Sequence, residues 1–234
     1  MNLKVKLFAD GAEKAGMLEM YNNPLISGFT TNPTLMRKAG ITDYKSFSID
    51  ILSEIKDKPI SLEVFSDDFD EMERQAHDIA SWGNNVYVKI PITNTKSESS
   101  IPLIKKLSDA KIKVNVTAMM TLKQVEDTLP ALVNSQGSYV SVFAGRIADA
   151  GIDPLPIMKE VMQLLSNVKN VELIWASPRE LFNVVQADSI GCHIITATND
   201  ILKKLPTLGK DLTQFSLETV KMFYNDAKSA GYFL

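Results

Sequence analysis

The stretch VYVKIPIT, residues 86–93, places a lysine within what otherwise has the pattern of a buried β-strand. Alternate residues of a strand face opposite sides, so Val86, Val88 and Ile90 form one apolar face. Lys89 lies on the other face. An ammonium group in an apolar site favours a lowered pKa, and the neutral amine that results can form a Schiff base with a ketone or aldehyde. The alternative is an edge strand whose lysine points to solvent, which is the commoner situation for a lone strand lysine.

The rest of the chain repeats a strand-and-helix unit. Short β-branched runs alternate with longer segments of helical apolar spacing, and no linker rich in proline, glycine or serine divides them. Eight such units in 234 residues predict an α/β fold, a single (β/α)8 TIM barrel formed by residues 1–234, in preference to an open doubly wound sheet. The predicted strands are residues 5–10, 28–32, 60–65, 86–92, 113–120, 138–145, 171–177 and 192–198, and the second has the weakest strand pattern.

Two helical segments need separate description. Residues 40–57 are predicted to complete the second helical connection, after an initial turn at residues 34–37. Beyond the eighth unit, about residues 212–234 form an amphipathic C-terminal helical extension for which Ser216 is the predicted N-cap. We expect this additional C-terminal helix to lie across the barrel or against another subunit.

Composition narrows the class of ligand. The formal charge of −3 and the sequence pI near 5.5 give no electrostatic reason to expect nucleic acid or an anionic membrane as a partner, so the expected ligand is small. The lone cysteine, Cys192, and the lack of an apolar run near the roughly 18 residues that span a bilayer favour a cytoplasmic protein. His77 and His193 lack the spacing of metal ligands, so we expect no metal at the site.

Strand parity gives the lysine companions on other strands. In a barrel, residues of one parity face the interior, and catalytic groups lie at the C-terminal rim. On the fifth strand, for example, Val114, Val116 and Ala118 are predicted to face the helices. Each inward polar residue alone has an ordinary structural explanation, but two carboxylates, a lysine and amide or hydroxyl groups together are what Schiff-base chemistry needs. The six that parity points into one cavity are Asp10, Glu63, Lys89, Asn115, Thr117 and Ser141.

Arginines follow two successive strands. Arg146 lies in FAGRIADAG after the sixth strand, and Arg179 lies in WASPRE after the seventh. Loops at this end of such barrels frequently bind phosphate, and a guanidinium group can hold phosphate through two parallel hydrogen bonds. Either arginine alone could instead cap a helix or form a surface ion pair. Their placement after neighbouring strands favours a phosphate site.

Seven stretches of the chain, taken in order, form a recognisable set. They are FADGA with Asp10, GFTTNPTL with Asn32, SLEVF with Glu63, VYVKIP with Lys89, NVTAMMT with Asn115 and Thr117, SVFAGRI with Ser141, Phe143 and Arg146, and WASPRE with Ser177 and Arg179. The set covers nearly the whole chain and resembles the short form of the transaldolase family, which also includes fructose-6-phosphate aldolases. The resemblance implies a (β/α)8 barrel without metal or organic cofactor that acts on sugar phosphates.

The resemblance also implies a role for each matched residue. Lys89 forms a Schiff base with C2 of a ketose phosphate, while Glu63 and a water positioned by Thr117 move the protons. Asp10 removes the proton of the C4 hydroxyl, so the C3–C4 bond breaks and an aldose phosphate leaves. The dihydroxyacetone unit that remains is passed to a second aldose phosphate. Substrate contacts are implied for Asn32, Asn115, Ser141, Phe143 and Ser177, and phosphate contacts for Arg146 and Arg179.

The implied reaction is that of a transaldolase in the pentose phosphate pathway. Its donor is sedoheptulose 7-phosphate or fructose 6-phosphate, and its acceptor is glyceraldehyde 3-phosphate or erythrose 4-phosphate. One alternative is a fructose-6-phosphate aldolase, a lyase that releases free dihydroxyacetone, and a less favoured one is an inactive barrel that binds sugar phosphates. Such lyases typically carry Gln at the position of Glu63 and Tyr at that of Phe143, so this sequence favours transfer.

Three loops depart from the family pattern. ITNTKSESS replaces a Thr-x-Glu-Gly turn after the fourth strand, and Pro178 follows the seventh. After the eighth strand, TATNDIL replaces a proline-containing turn, and its Asn199 and Asp200 could cap the next helix. These departures leave the preferred donor and acceptor open. By analogy with short-form relatives, which form pentamers or decamers, we expect a homo-oligomer in which the apolar residues of the C-terminal helix, Val220, Met222, Phe223, Tyr232 and Phe233, contact a neighbour.

Overall fold

The computed structural model describes residues 3–234. Its eight strands are β1 (Lys6–Asp10), β2 (Ile26–Thr30), β3 (Ile60–Glu63), β4 (Val86–Pro91), β5 (Val114–Met119), β6 (Ser138–Val142), β7 (Val171–Trp175) and β8 (Ile194–Thr198). They pair in chain order, all parallel, and β1 closes the barrel by pairing with β8. The predicted α/β fold and TIM barrel are therefore confirmed.

Helices connect the strands on the outside of the barrel. Several begin at an acidic or hydroxyl N-cap whose side chain accepts a backbone N–H, as Asp68 does from Glu71 and Thr121 from Gln124. They are α1 (Lys14–Tyr21), α2 (Pro33–Lys38), α3 (Tyr44–Glu54), α4 (Phe69–Ala80), α5 (Ile101–Asp109), α6 (Leu122–Thr128), α7 (Ala144–Asp149), α8 (Pro154–Leu165), α9 (Phe182–Ser189), α10 (Asn199–Leu202) and α11 (Leu212–Ala230), with short 3₁₀ helices at Leu129–Leu132 and Leu205–Thr207.

Helix caps explain where the predicted boundaries were wrong. The second strand ends at Thr30 and does not reach residue 32, because the side chain of Asn32 accepts the Leu35 N–H at 3.0 Å and starts α2. The C-terminal helix begins at Leu212, where Asp211 accepts the N–H of Gln214 at 2.8 Å. Ser216, the predicted N-cap, therefore lies inside that helix.

The end of β8 also differs from expectation. Asn199 is the first residue of α10, whose N-cap Thr198 makes no side-chain capping hydrogen bond. The amide of Asn199 instead donates to the Gly16 carbonyl at 3.3 Å, which ties this loop to α1. Capping of α10 by Asn199 or Asp200 was therefore wrong.

The strands separate two apolar layers. Outward residues such as Val88, Val116 and Val140 pack beneath the helices, and Phe8, Tyr139 and Ile174 fill the barrel interior. Ala118 departs from the predicted parity, because its φ of 62° breaks the alternation and Met119 takes the outward position in its place. The register between β5 and β6 shifts at the same point.

Helix α11 has no residue buried in the chain, unlike the helices that cover the barrel. Its Leu212, Phe215, Met222 and Phe223 are between 43% and 79% exposed. Within residues 3–234, no helix is both long and apolar enough to span a bilayer.

Candidate active site

At the C-terminal rim of the barrel, an ion pair joins a side chain of β4 to one of β3. Lys89 Nζ lies 2.9 Å from the Glu63 carboxylate, and the two side chains are only 7% and 15% exposed. Nζ also donates to the Thr31 carbonyl at 2.7 Å. The lysine therefore points inward, and its ammonium group has a carboxylate and a carbonyl as acceptors in place of water.

Asp10 ends β1 and faces the same space. Its residue keeps partial solvent exposure, but protein atoms surround it closely, and this burial raises the pKa of its carboxyl group. The positive charge of Lys89 and a hydrogen bond from Thr30 oppose that rise in pKa, and the charge of Glu63 adds to it. The charges of Lys89 and Glu63 therefore both act on the Asp10 carboxyl group.

Side chains of β5 and β6 extend the polar surface. The Ser141 hydroxyl donates to the Asn115 amide oxygen at 2.7 Å, and the Asn115 amide donates to Ser61 Oγ at 3.0 Å. Asn115 and Ser141 are both buried, so these two hydrogen bonds hold their polar groups in fixed directions. Asn115 also sits beside Lys89 in the β4–β5 register.

Thr117 lies at the bulge before Ala118. Its hydroxyl is buried and has no hydrogen-bond partner among the described residues. A buried hydroxyl without a partner is costly, and a water molecule is the usual way to satisfy it. Thr117 lies opposite Pro91, two residues beyond Lys89, near the end of β4.

The two predicted arginines, which follow β6 and β7, both lie near Asp149. Arg179 Nε donates to Asp149 at 2.9 Å, and its Nη1 donates to the carbonyl and hydroxyl of Ser177 at 2.9 Å. Hydrogen bonds from Arg179, supported by the charge of Arg146, lower the pKa of Asp149. The Arg146 guanidinium lies 6.0 Å from the centre of the Phe143 ring, which packs against the interior layer.

A glycine sets the distance between these two loops. A Cβ on Gly145 would lie 1.6 Å from the Ser177 carbonyl oxygen, so no other residue fits there without moving the backbone. Ser177 itself has a backbone φ of 60°, which residues other than glycine rarely adopt. The close approach brings Arg146 and Arg179 to one side of the rim.

Sequence reasoning missed several residues that shape the site. Thr31 supplies an acceptor to Lys89, and Asp149 pairs with Arg179. The Tyr44 hydroxyl donates to the Glu63 carbonyl at 3.0 Å and accepts the Glu63 N–H at 2.8 Å, which fixes the end of β3. Only Thr31, within the GFTTN motif, had a signal in the sequence. The contact of Tyr44 depends on how α3 docks.

The predicted residues are not all in mutual contact. The amide oxygen of Asn32 caps α2, so the amide nitrogen is the group that can donate to a ligand. Ser177 and Arg179 form a cluster separate from the hydrogen bonds of Lys89. His193 lies before β8, at the opposite end of the barrel, and accepts the Leu173 N–H. Among residues 3–234, no group of three His, Cys, Asp or Glu side chains has metal-site geometry.

Comparison with known sequences gives a family that spans the chain. The model of the transaldolase/fructose-6-phosphate aldolase family matches residues 7–232. A probable transaldolase of Thermoanaerobacter sp. (strain X514) is 34% identical over 228 residues, which is 97% of this chain and 99% of the relative. A probable transaldolase of Thermoplasma volcanium is 34% identical over 230 residues, 96% of this chain and 99% of the relative.

Solved structures support the fold alone. A crystal structure of 2,3-dimethylmalate lyase, a PEP mutase/isocitrate lyase superfamily member, superposes with a TM-score of 0.57 over 99% of this chain and 85% of that one. Its sequence identity is 11%, too low to carry a function across.

Proposed function

The chain belongs to the transaldolase/fructose-6-phosphate aldolase family, and from this membership we propose that it is a transaldolase that works through a Schiff base on Lys89. It transfers a dihydroxyacetone unit from sedoheptulose 7-phosphate or fructose 6-phosphate to glyceraldehyde 3-phosphate or erythrose 4-phosphate, a step of the pentose phosphate pathway. The observation that carries the proposal is the enclosed pair of Lys89 and Glu63 at the barrel rim.

Glu63 prepares the nucleophile. Its carboxylate, 2.9 Å from Nζ, takes a proton from the Lys89 ammonium and leaves a neutral amine. The amine attacks C2 of the ketose, and one proton moves from the nitrogen to the former ketone oxygen to give a neutral carbinolamine. The proton held by Glu63 is the one used in the next step. A second proton turns that hydroxyl into water, which leaves as the iminium forms. A water on the unpartnered hydroxyl of Thr117 carries protons between Glu63 and the reacting oxygen.

Asp10 then breaks the carbon–carbon bond. Its carboxylate removes the proton of the C4 hydroxyl, and C4 becomes the aldehyde of the leaving aldose phosphate. The electrons of the C3–C4 bond form the C2–C3 double bond of an enamine and neutralise the iminium nitrogen. Burial raises the pKa of Asp10, so that the carboxylate is a better base than an exposed aspartate.

Neighbouring side chains hold the substrate through these steps. Asn115 and Ser141, already fixed by their mutual hydrogen bond, face the hydroxyl groups of the dihydroxyacetone unit, and the amide nitrogen of Asn32 reaches it from the rim. The phosphate binds Arg146 and Arg179 beside Ser177. An exposed ion pair such as Arg179 with Asp149 contributes about 1 kcal/mol or less, so a phosphate dianion can displace that carboxylate.

Reductive trapping tests this mechanism. Borohydride added with fructose 6-phosphate should attach a dihydroxyacetone-sized mass to Lys89, because the iminium is reduced to a stable amine. Lys89→Met should stay unmodified. Lys113→Met removes a partly buried lysine that donates to the Asn84 carbonyl before β5, away from the rim, and this variant should still be labelled at Lys89. A wild-type protein that binds sugar phosphate without labelling would instead be an inactive barrel.

The family also contains lyases, and the choice of transferase rests on Glu63 and Phe143. Phe143 cannot donate a hydrogen bond to a water at the enamine, so water is a poor proton source there and an aldose phosphate is the better acceptor. Turnover of sedoheptulose 7-phosphate with glyceraldehyde 3-phosphate should exceed release of free dihydroxyacetone from fructose 6-phosphate alone. The reverse ranking would identify a fructose-6-phosphate aldolase.

Two further properties belong to the proposal. We place the enzyme in the cytoplasm, where its lone Cys192 stays a buried thiol whose pKa burial raises to about 12. We also propose a homo-oligomer, pentameric or decameric by family analogy, because the exposed apolar residues of α11 need a partner surface. A second copy of this chain supplies it.

A further inference from the structure

Three side chains on three adjacent strands form a hydrogen-bonded chain that ends at Asp10. Thr30 on β2 donates to Asp10 Oδ1 at 2.7 Å. Thr196 on β8 lies on the other side, with its Oγ1 2.5 Å from Thr30 Oγ1. Since β1 lies between β2 and β8, the two threonines meet across it. Both are almost fully buried, at 3% and 5% exposure.

Counting hydrogens gives this chain a direction. A carboxylate can only accept, so the single hydroxyl hydrogen of Thr30 goes to Asp10. The hydrogen between the two threonines must then come from Thr196. Thr196 therefore donates to Thr30, and Thr30 donates to Asp10. Donors arranged in series polarise each other and strengthen the last bond, the one to the carboxylate.

We propose that Thr196 is a positioning residue that holds Thr30 as a donor and so keeps Asp10 a carboxylate, ready to act as the base of carbon–carbon cleavage. This inference rests on the proposed function for the role of the base, and on the three oxygen positions for the effect on Asp10. No atom is transferred along the chain. The effect is electrostatic, since hydrogen bonds to the charged form favour that form.

The other charged groups near Asp10 do not replace this effect. Lys89 on β4 favours the carboxylate, whereas Glu63 on β3 disfavours it. Glu13 and Lys38, of opposite charge, line the cavity beside Asp10 from exposed positions, where solvent screens them. Thr30 is the hydrogen-bond donor to the Asp10 side chain among residues 3–234, and Thr196 is the group that orients it.

The test is the pH dependence of catalysis. Thr196→Val keeps the volume of the side chain and removes its hydroxyl. We expect the acidic limb of the kcat/KM profile, where Asp10 becomes protonated, to move up by about 0.5 to 1 pH unit, and further in Thr30→Val. Thr196→Ser restores the hydroxyl and should restore the profile. Thr128→Val, which removes a hydroxyl bonded to the Gln124 carbonyl on outer helix α6, should leave the profile unchanged.

A second measurement separates this inference from the proposed function. In protein carrying ¹³C-labelled aspartate, the Asp10 carboxyl resonance, assigned by its loss in Asp10→Asn, reports the protonation of Asp10 without turnover. Thr196→Val should raise its midpoint whether or not the protein is a transaldolase. An unchanged midpoint in both valine variants would overturn the inference and make the threonines purely structural. A lowered midpoint would overturn it too, since Thr196 would then accept from Thr30, and Thr30 would accept from protonated Asp10.

Discussion

At the scale of single residues, the site depends on groups that satisfy one another across strands. Lys89 is buried because Glu63 and the Thr31 carbonyl accept its hydrogens, and the Glu63 peptide is in turn fixed by Tyr44. A buried charge without such partners would cost several kcal/mol, which is why an isolated strand lysine usually faces solvent. In the proposed mechanism the same contact serves proton transfer, since Glu63 lies within hydrogen-bonding distance of Lys89 Nζ.

The first prediction at this scale concerns Phe143. Phe143→Tyr places a hydroxyl beside the inner layer and gives a water near the enamine a hydrogen-bond partner. Release of free dihydroxyacetone from fructose 6-phosphate should rise by about tenfold relative to transfer, measured by a coupled assay. Phe69→Tyr adds the same hydroxyl at the start of α4 and should leave the ratio unchanged. If both variants release dihydroxyacetone at the wild-type rate, Phe143 does not control the fate of the enamine.

At the scale of elements, the short connections between strands and helices decide where side chains reach. Asn32 caps α2 directly after β2, and Gly145 lets the start of α7 approach the Ser177 carbonyl. At the other end of the barrel, the pairing of β7 with β8 is short, and His193 Nδ1 accepts the Leu173 N–H at 3.0 Å. A side chain thus supplies a bond that the backbone ladder lacks.

Because a histidine side chain accepts this hydrogen bond, the β7–β8 pairing is sensitive to pH. Burial lowers the pKa of His193, while Glu172 opposes and Lys6 adds to that effect, so the fold favours neutral histidine. The unfolded chain then binds more protons than the folded chain. The contribution of His193 to the free energy of unfolding is therefore fully present above the ordinary histidine pKa near 6.5, and it is lost as pH falls through the lower pKa of the folded state. Protonation also removes the acceptor of Leu173, at a cost of about 1 kcal/mol.

Chemical denaturation at several pH values checks this second prediction. The free energy of unfolding of the wild type should fall between about pH 7 and pH 5, before most carboxylates titrate. His193→Asn keeps an acceptor near the Leu173 N–H and does not ionise, so its stability should change less over that range. His77→Asn, on the exposed face of α4, is the matched control and should behave like the wild type. Equal pH dependence in all three would mean that His193 does not contribute.

At the scale of the whole molecule, barrel closure and the detached last helix have different consequences. Closure of β1 on β8 brings Asp10 and Thr196 together although they lie at opposite ends of the chain. Helix α11 is amphipathic, but none of its residues is buried in its own chain. An exposed apolar stripe such as the one on α11 is typical of an association surface.

The last prediction is that α11 mediates assembly. Sedimentation of the wild type should give a mass well above the 25.9 kDa of one chain. Phe223→Glu places a charge on the apolar stripe and should shift the protein toward monomers, whereas Asn225→Glu on the opposite face of α11 should not. A wild-type mass of one chain at micromolar concentration would contradict the proposed assembly.

Local pattern was enough for the architecture and for part of the site. Strand alternation placed Lys89, Glu63, Asn115 and Ser141 inside the barrel, because side-chain direction in a strand follows from period two alone. Strand alternation was wrong at Ala118, because a register shift between β5 and β6 changes the parity there. The predicted N-cap Ser216 was wrong for a different reason: Asp211, an equally good capping residue, lies earlier in the chain.

The sequence by itself determined the barrel, its family and the strand that carries the lysine. Only the tertiary structure decided what each polar group touches: Lys89 on the Thr31 carbonyl, Arg179 on Asp149, and Thr196 on Thr30. The physical reason is range. Strand and helix patterns depend on neighbours a few residues apart, whereas these contacts join positions 30 to 166 residues apart and exist only once the barrel has closed.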